Sequence, residues 1–396
     1  MSAHETAIRA FARVTPVDRH AYFGYYDKFP WDATTRYLLA LSPTFIDRQP
    51  TANDSVEIGM IDLEDGNRWI PVAKTHAWNW QQGTMLHWLP KAPTASPDEQ
   101  EIVFNERVDA ESRFGSVVMN PFTGQRRSLP RPIYCLRPDG KQALSVNFAR
   151  IAHTRPGYGY EGIPDRGFDV LAPEDDGIWS MDMTTGETLR ITSIREMTKL
   201  SPKPDFPDGK HWFNHLQYNT DGSRFIFLHR WGRDGGVRWG TRMLTANPDG
   251  TDVRIIADDG MTSHFDWRDP AHILAWARQN ERGDHYYLFD ARTGDAELVG
   301  GDVLTTDGHC SYSPNREWVL TDTYPDKTHH RTLILYHPKT DTRVDIGRFY
   351  SPPEVTGPFR CDLHPRWSRD GRSVCVDSAH ESMRGMYVAS VADVVG

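Results

Sequence analysis

Short apolar runs alternating with polar residues recur along the whole chain, separated at close intervals by turn residues. A period of two is the mark of half-buried β-strands. From His215 the chain reads HLQYNTDGSRFIFLHRW, where Asp221-Gly222 turns it into the β-rich run from Arg224 to Leu228. The same phrase returns as HFDWRDPAHILAWA from His264, HCSYSPNREWVLTD from His309 and HPRWSRDGRSVCVD from His364. Looser copies begin at Tyr26 (YDKFPWDATTRYLLA), at His87 and at Ile133 (IYCLRPDGKQALSV), which makes seven starts. Second hairpins such as YYLFDARTGDAELV and TLILYHPKTDTRVDI follow within several units.

Four short strands per unit, at spacings of roughly 45 to 60 residues, predict an all-β fold, a seven-bladed β-propeller occupying residues 1–396 as a single domain. A pair of sandwiches is the competing all-β reading, and it accounts less well for seven similar units. The last unit stops after its third strand, RGMYVASVADVV, while an orphan β-like segment, AIRAFARVTP, precedes the first. An N-terminal strand is therefore expected to complete the last blade and close the ring. The wide gap between Ile133 and His215 leaves room for a long loop insertion near 150–170, rich in Gly, Pro and Tyr.

Composition narrows the function classes. Thirteen Trp, fifteen Tyr and seventeen Phe exclude a disordered chain. No window approaches a membrane span, and the first thirty residues lack the apolar core of a secretory signal, so no membrane association and a cytoplasmic location are expected. Cys135, Cys310, Cys361 and Cys375 form no C-x-x-C pair and are expected as reduced thiols. A formal charge of −9 without a Lys/Arg run lacks the footprint that nucleic acid demands. No H-E-x-x-H, G-x-S-x-G or P-loop occurs. Gly157 to Gly162 formally fits G-x-G-x-x-G, but Pro156 and Pro164 bracket it, so it reads as a loop and not a nucleotide site.

Histidine opens five of the seven units: His87, His215, His264, His309 and His364. Rotation about a propeller axis would bring these positions to one central channel, where imidazole can bind a first-row metal or act as a base near neutrality. The competing reading is that each histidine bonds a neighbouring blade's backbone. Gln217, Asp266, Asp362 and Arg360 lie beside them, and this mixture of amide, carboxylate and imidazole suits manganese, zinc or calcium. Strand alternation turns Cys310 and Cys361 to the opposite face. The first unit adds Tyr25, Tyr26, Asp27 and Lys28; Arg155 and Arg230 add cations, and Tyr158 and Tyr160 of the loop either stack on a sugar or pack. Aromatics, cations and a metal together suit an anionic carbohydrate such as a uronate.

The succession NHLQYNTDG, DGHCSYSPN and CDLHPRWSRDG resembles the TolB-like seven-bladed propellers, and among them the oligogalacturonate lyases, most strongly over residues 211 to 385. The resemblance implies an intracellular lyase that cleaves short pectin-derived uronates by metal-assisted β-elimination, with manganese the first metal and calcium or zinc as alternatives. It also implies that His309 and His364 are metal ligands. Asp362 stands where the family favours another histidine, and Phe359 and Arg360 stand where it has a glutamine. Gln217, on another blade, is the glutamine a channel site could recruit.

Elimination assigns roles by chemistry. A base removes the proton α to the carboxylate, for which His215 or His264 is suited, with Lys28 or Arg230 assisting and Tyr26 protonating the departing oxygen. His87, Tyr25, Arg155, Tyr158, Tyr160 and Arg360 are the expected substrate contacts. A glycoside hydrolase using a carboxylate pair from Asp27, Asp266 and Asp362 is the alternative, and a non-catalytic binding propeller is the third reading. The oligomeric state is not readable from these patterns.

Overall fold

Seven small sheets succeed one another along the chain, and the computed structural model describes them over residues 3–92, 94–233 and 238–396. Blades 2 to 5 each hold four antiparallel strands, as the repeat predicts. Blade 4 is the longest and serves as a pattern: Lys210–Tyr218 innermost, then Phe225–Gly232, Trp239–Ala246 and Arg254–Ala257. An aromatic residue ends most innermost strands and pairs across the turn with the first apolar residue of the second strand. Examples are Trp88 with Ile102, Tyr218 with Phe225, Trp267 with Ile273, Tyr312 with Val319 and Trp367 with Val374. These pairs fix the register around the ring, because a slip of one residue would turn every apolar side chain to the wrong face.

Closure follows the expectation and adds to it. Ala12–Arg13 pairs antiparallel with Gly385–Ser390 and completes blade 7. Ala3–Thr6, not anticipated, runs parallel to Thr342–Tyr350 as a fifth strand on blade 6. The N-terminal segment thus fastens two successive blades. Arg13 is the buckle: its guanidinium donates to the carbonyls of Thr15, Pro16 and Met383 at 3.2, 2.9 and 3.3 Å. Arg13→Ala is expected to lower stability by about 1.5–3 kcal/mol through loss of charge-assisted hydrogen bonds, measured as a urea midpoint. No shift in that midpoint would remove its fastening role.

Blade 1 departs from the repeat. Its sheet has only three strands, Tyr37–Ser42, Val56–Asp62 and Arg68–Thr75. Among the described residues, the segment that should line the channel pairs with this sheet as two isolated bridges, Tyr22 to Leu41 and Trp31 to Leu38, and not as a strand. Between them the chain swings inward. Gly24, at φ +134°, passes so close to blade 2 that a Cβ would lie 3.0 Å from the Gln82 carbonyl oxygen. That close passage delivers Tyr25 and Tyr26 into the centre of the ring.

The insertion after Gln142–Ser145 begins with a short helix, Phe148–Thr154, that the sequence pattern did not indicate. Asn147 caps it, and Arg150 on its buried face nucleates the loop by donating to the carbonyls of Gly167, Val170, Leu171 and His211. The loop then crosses toward the channel mouth, where Gly157 passes blade 7: a Cβ there would meet the Pro358 carbonyl oxygen at 2.8 Å. The G-x-G-x-x-G match lies in this loop, with a helix before it and bends and turns after it, so the phosphate-cradling context is missing.

Beneath the loop, His211 and His229 are buried in a directional chain. Arg242 Nε donates to His229 Nδ1 at 3.1 Å, leaving His229 Nε2 to donate to His211 Nδ1 at 2.9 Å and His211 Nε2 to donate to the Phe206 carbonyl at 2.9 Å. Burial lowers both imidazoles, His211 to about 4, so both are neutral in the fold. The unfolded chain takes up these protons below about pH 6.5 while the fold does not. Stability is therefore whole above that pH and is lost as pH falls from 6.5 toward 4, by up to about 1.4 kcal/mol per unit for each histidine. Urea midpoints are expected to fall between pH 7 and pH 5; a rise would contradict the neutral chain.

Candidate functional site

Four of the five unit-opening histidines converge, and they do so around Tyr25. Its ring centroid lies 5.1 Å from His215, 6.5 Å from His264, 6.1 Å from His309 and 5.0 Å from His364. His264 and His309 are 4.1 Å apart, and His309 and His364 4.5 Å. Residues from blades 4 to 7 thus meet on the axis, as rotational equivalence requires. His215 and His364 hold left-handed φ angles of 51° and 40°, a conformation that costs non-glycine residues roughly 1–2 kcal/mol. Strained backbone of this kind gathers at functional sites. His215 sits within a bulge between Asn214 and Gln217, which frees its ring from the ladder.

His87 does not join them. The pairing of Trp88 with Ile102 shows that Met85, with φ 54°, holds the histidine position in blade 2, and that His87 aligns two residues later, with Gln217, Asp266 and Arg366. The stretched turn of that unit hid the two-residue slip. A step of two keeps a side chain on the same face but carries it further along the channel. His87, Gln217 and Lys28 consequently border the opposite mouth, where Lys28 pairs with Asp27 at 2.6 Å and Gln217 Nε2 donates to Asp266 at 2.8 Å. Gln217 is thereby separated from His309 and His364.

The remaining expected residues divide as follows. The Tyr26 hydroxyl is consumed, donating to the Phe265 carbonyl and accepting from its N–H, both at 3.0 Å. Tyr160 is core: it stacks on Phe148 at 4.2 Å and its hydroxyl accepts from Asn105 at 3.0 Å. Arg155, Tyr158 and Arg230 do reach the histidine mouth, together with Trp239, Asp307 and Tyr324. Arg360 does so as well, donating to the Tyr158 hydroxyl at 3.2 Å.

His309, Asp362 and His364 form a buried trio whose ligating atoms all lie within 4.8 Å of one another. Its donor chemistry fits a divalent metal. His309 Nδ1 is 2.9 Å from Asp322 Oδ1, which fixes the tautomer and leaves Nε2 as a buried lone pair without a partner. Neither ring nitrogen of His364 has a partner. Burial pushes the Asp362 carboxyl up, but Arg360 and Arg331, each at 2.7 Å, together hold it well below the usual carboxylate range. It is an anion.

Around the trio the charges are arranged asymmetrically. Burial, then Arg230, lowers His215 well below the ordinary value, so it is a neutral imidazole whose ring hydrogen-bonds no described residue. His264 is also lowered by burial, although Asp307 at 3.0 Å opposes the shift. Arg155 and Arg230 both face Trp239, at 4.1 and 5.8 Å, and among the described residues neither has a carboxylate within ion-pair distance. The buried Nε of each is unpartnered. Asp322, Asp307, Arg331, Trp239 and Tyr324 had escaped the sequence reading: Arg331, Trp239 and Tyr324 lie outside the repeating phrase, whereas Asp322 closes it, as Asp377 does in the last unit, and Asp307 stands two residues before His309, as Asp362 does before His364. The bland reading, in which each histidine bonds a neighbouring blade, fails for His364 and for the His309 Nε2.

No protein-family model matches this chain, and no curated protein sequence matches it. Solved structures do. The chain matches oligogalacturonate lyase from Vibrio parahaemolyticus at 16% identity and a TM-score of 0.65, covering 98% of this chain and 96% of that one. It matches an oligogalacturonate lyase in complex with manganese at 14% identity and a TM-score of 0.67, over 98% of both chains. TolB from Acinetobacter baumannii also matches, at 17% identity and a TM-score of 0.39, over 79% of this chain and 63% of that one. The likeness to the lyases is one of fold, end to end.

Proposed function

We propose that the protein is a lyase acting on uronate-containing oligosaccharides by β-elimination at the histidine mouth of the channel. The observation that carries this reading is the meeting of a neutral, unpartnered His215 with two carboxylate-hungry guanidinium groups and the His309–Asp362–His364 trio. A uronate carboxylate would pair with Arg155 and Arg230, which orient the sugar so that the proton α to that carboxylate faces His215. His215 takes this proton at a ring nitrogen, for which a neutral imidazole is required. Negative charge then builds on the carboxylate, and fixed guanidinium groups in a buried site stabilise it more in the transition state than in the ground state.

His309 Nε2, His364 and Asp362 would hold a divalent cation, which supplies Lewis acidity toward the same developing charge. Tyr25 takes the place expected for Tyr26. Its buried hydroxyl has no partner, and burial raises it well above the ordinary value, so it retains a proton for the departing glycosidic oxygen. Hydrolysis is less well served, because it needs two carboxyl groups facing the scissile bond. Near this mouth Asp307 and Asp322 are engaged by histidines and Asp362 by two arginines. Asp27 and Asp266 border the other mouth.

The test is incubation of the protein and manganese with oligogalacturonates, followed at the ultraviolet absorbance of an unsaturated product. Growth of that absorbance, abolished by chelator, is the expected result. New reducing ends without the chromophore would replace elimination by hydrolysis, and no turnover of any uronate oligomer would reject the reading.

A further inference from the structure

The two mouths of the channel share no lining residue, because Tyr25 and Tyr26 occupy the space between them. The mouth opposite the histidine cluster opens into a cavity of about 420 Å³, within the range of small-molecule sites. Nothing in the proposed elimination uses it. We propose that it is a second binding site, for a monoanionic sugar acid of monosaccharide size. This proposal stands whether or not the histidine mouth performs elimination.

Three features define the ligand. The first is apolar surface of a specific kind. Trp88, Trp267 and Trp367 border the cavity, and each has its indole N–H already given to a backbone carbonyl: Pro30 at 2.9 Å, Gln217 at 3.3 Å and Ser311 at 3.3 Å. Each tryptophan is almost wholly buried, at 4%, 1% and 3% exposed, so what its ring adds to the cavity wall is a small apolar surface with no free donor, which suits the C–H groups of a pyranose.

The second feature is a set of buried polar atoms without partners. Asp27 Oδ1, Gln217 Oε1, His87 Nε2 and Ser311 Oγ belong to bordering residues, and His87 and Ser311 are 8% and 9% exposed. The Lys28 ammonium fixes the other oxygen of Asp27, and Asp266 fixes the amide nitrogen of Gln217. Both free oxygens can therefore only accept. Unsatisfied buried acceptors cost free energy that a ligand's hydroxyl donors would recover. This favours a polyhydroxylated ring over a flat aromatic acid.

The third feature is charge. Lys28, Arg316, Arg366 and Arg137 are each paired with a carboxylate, at 2.6, 3.4, 2.6 and 3.5 Å. Arg369 is not, among the described residues: it donates to the Trp31 carbonyl at 3.2 Å and lies over the Phe29 ring at 4.4 Å. Burial brings it down to about 10, which leaves it cationic at neutral pH. One free guanidinium matches one carboxylate; a phosphate dianion would call for more.

The experiment is a titration of the metal-free full chain with D-galacturonate and with D-galactose, read by calorimetry and by fluorescence of the cavity tryptophans. It is run on the wild type, on Arg369→Gln and on Arg230→Gln, which alters only the histidine mouth. Arg230→Gln is expected to lose any galacturonate held at the histidine mouth and to keep one binding event, which Arg369→Gln weakens at least tenfold in wild type and in the Arg230→Gln background alike. Galactose should bind the wild type at least tenfold more weakly. Phe29→Ala, at a 44% exposed position, removes the ring that holds Arg369 and should weaken binding severalfold even if Arg369→Gln fails to fold. Absence of galacturonate binding to the wild type overturns the proposal. So does binding that Arg230→Gln abolishes and the Arg369 and Phe29 variants leave intact. Neither outcome bears on the elimination assay, which reads chromophore at the other mouth.

Discussion

Replacing His215 by asparagine is expected to lower kcat on uronate oligomers by about 10²–10⁴-fold, the usual contribution of a positioned general base, while manganese content stays unchanged. Asparagine is the informative substitution, because it tolerates the left-handed φ of 51° that alanine would find strained. The loss then reports missing base chemistry and not a refolded bulge. KM should move little, since Arg155 and Arg230 remain to hold the carboxylate. A variant within a few-fold of wild-type kcat would transfer the base role elsewhere, first to His264. The wild-type rate should also keep its acid limb well below pH 6.5, because burial and Arg230 keep the imidazole neutral at mildly acidic pH.

His309→Ala should have the largest effect on metal content. It removes the one nitrogen whose lone pair is fixed by a carboxylate behind it, and it leaves His364 and Asp362 as an incomplete pair. Bound manganese is expected to fall below stoichiometric amounts, with turnover reduced to that of the chelated wild type. The Lewis-acid contribution is several kcal/mol, so the reduction should reach about 10³-fold. Asp322→Asn supplies the graded control, with metal affinity about 10–100-fold weaker and the cluster intact, because its carboxylate acts through His309. Metal content and rate unaffected by His309→Ala would dissolve the metal centre as drawn.

Much of the architecture was legible because a repeated phrase announces a repeated unit, and the aromatic before each turn keeps the register. The same logic brought His215, His264, His309 and His364 together from distant positions. It failed where the repeat is imperfect. The lengthened turn after Trp88 concealed that Met85, not His87, is the equivalent of the other histidines, and the loss of blade 1's innermost strand concealed which tyrosine has a free hydroxyl. Arg331 had no signal, since it meets the site only through the return of a third strand; Asp322 had one that went unread, because it closes the repeated phrase just as Asp377 closes the last. Gln217 and Lys28 were placed by proximity along the chain, which says nothing about which end of a strand faces which mouth.

The inward swing of blade 1 has a consequence for how a substrate enters and leaves. With two phenol rings packed across its axis, the propeller is a blind well, and a polymer cannot be threaded through it. Whatever enters the histidine mouth must leave by the same way, so a sugar chain acted on as proposed would be reached from one side only.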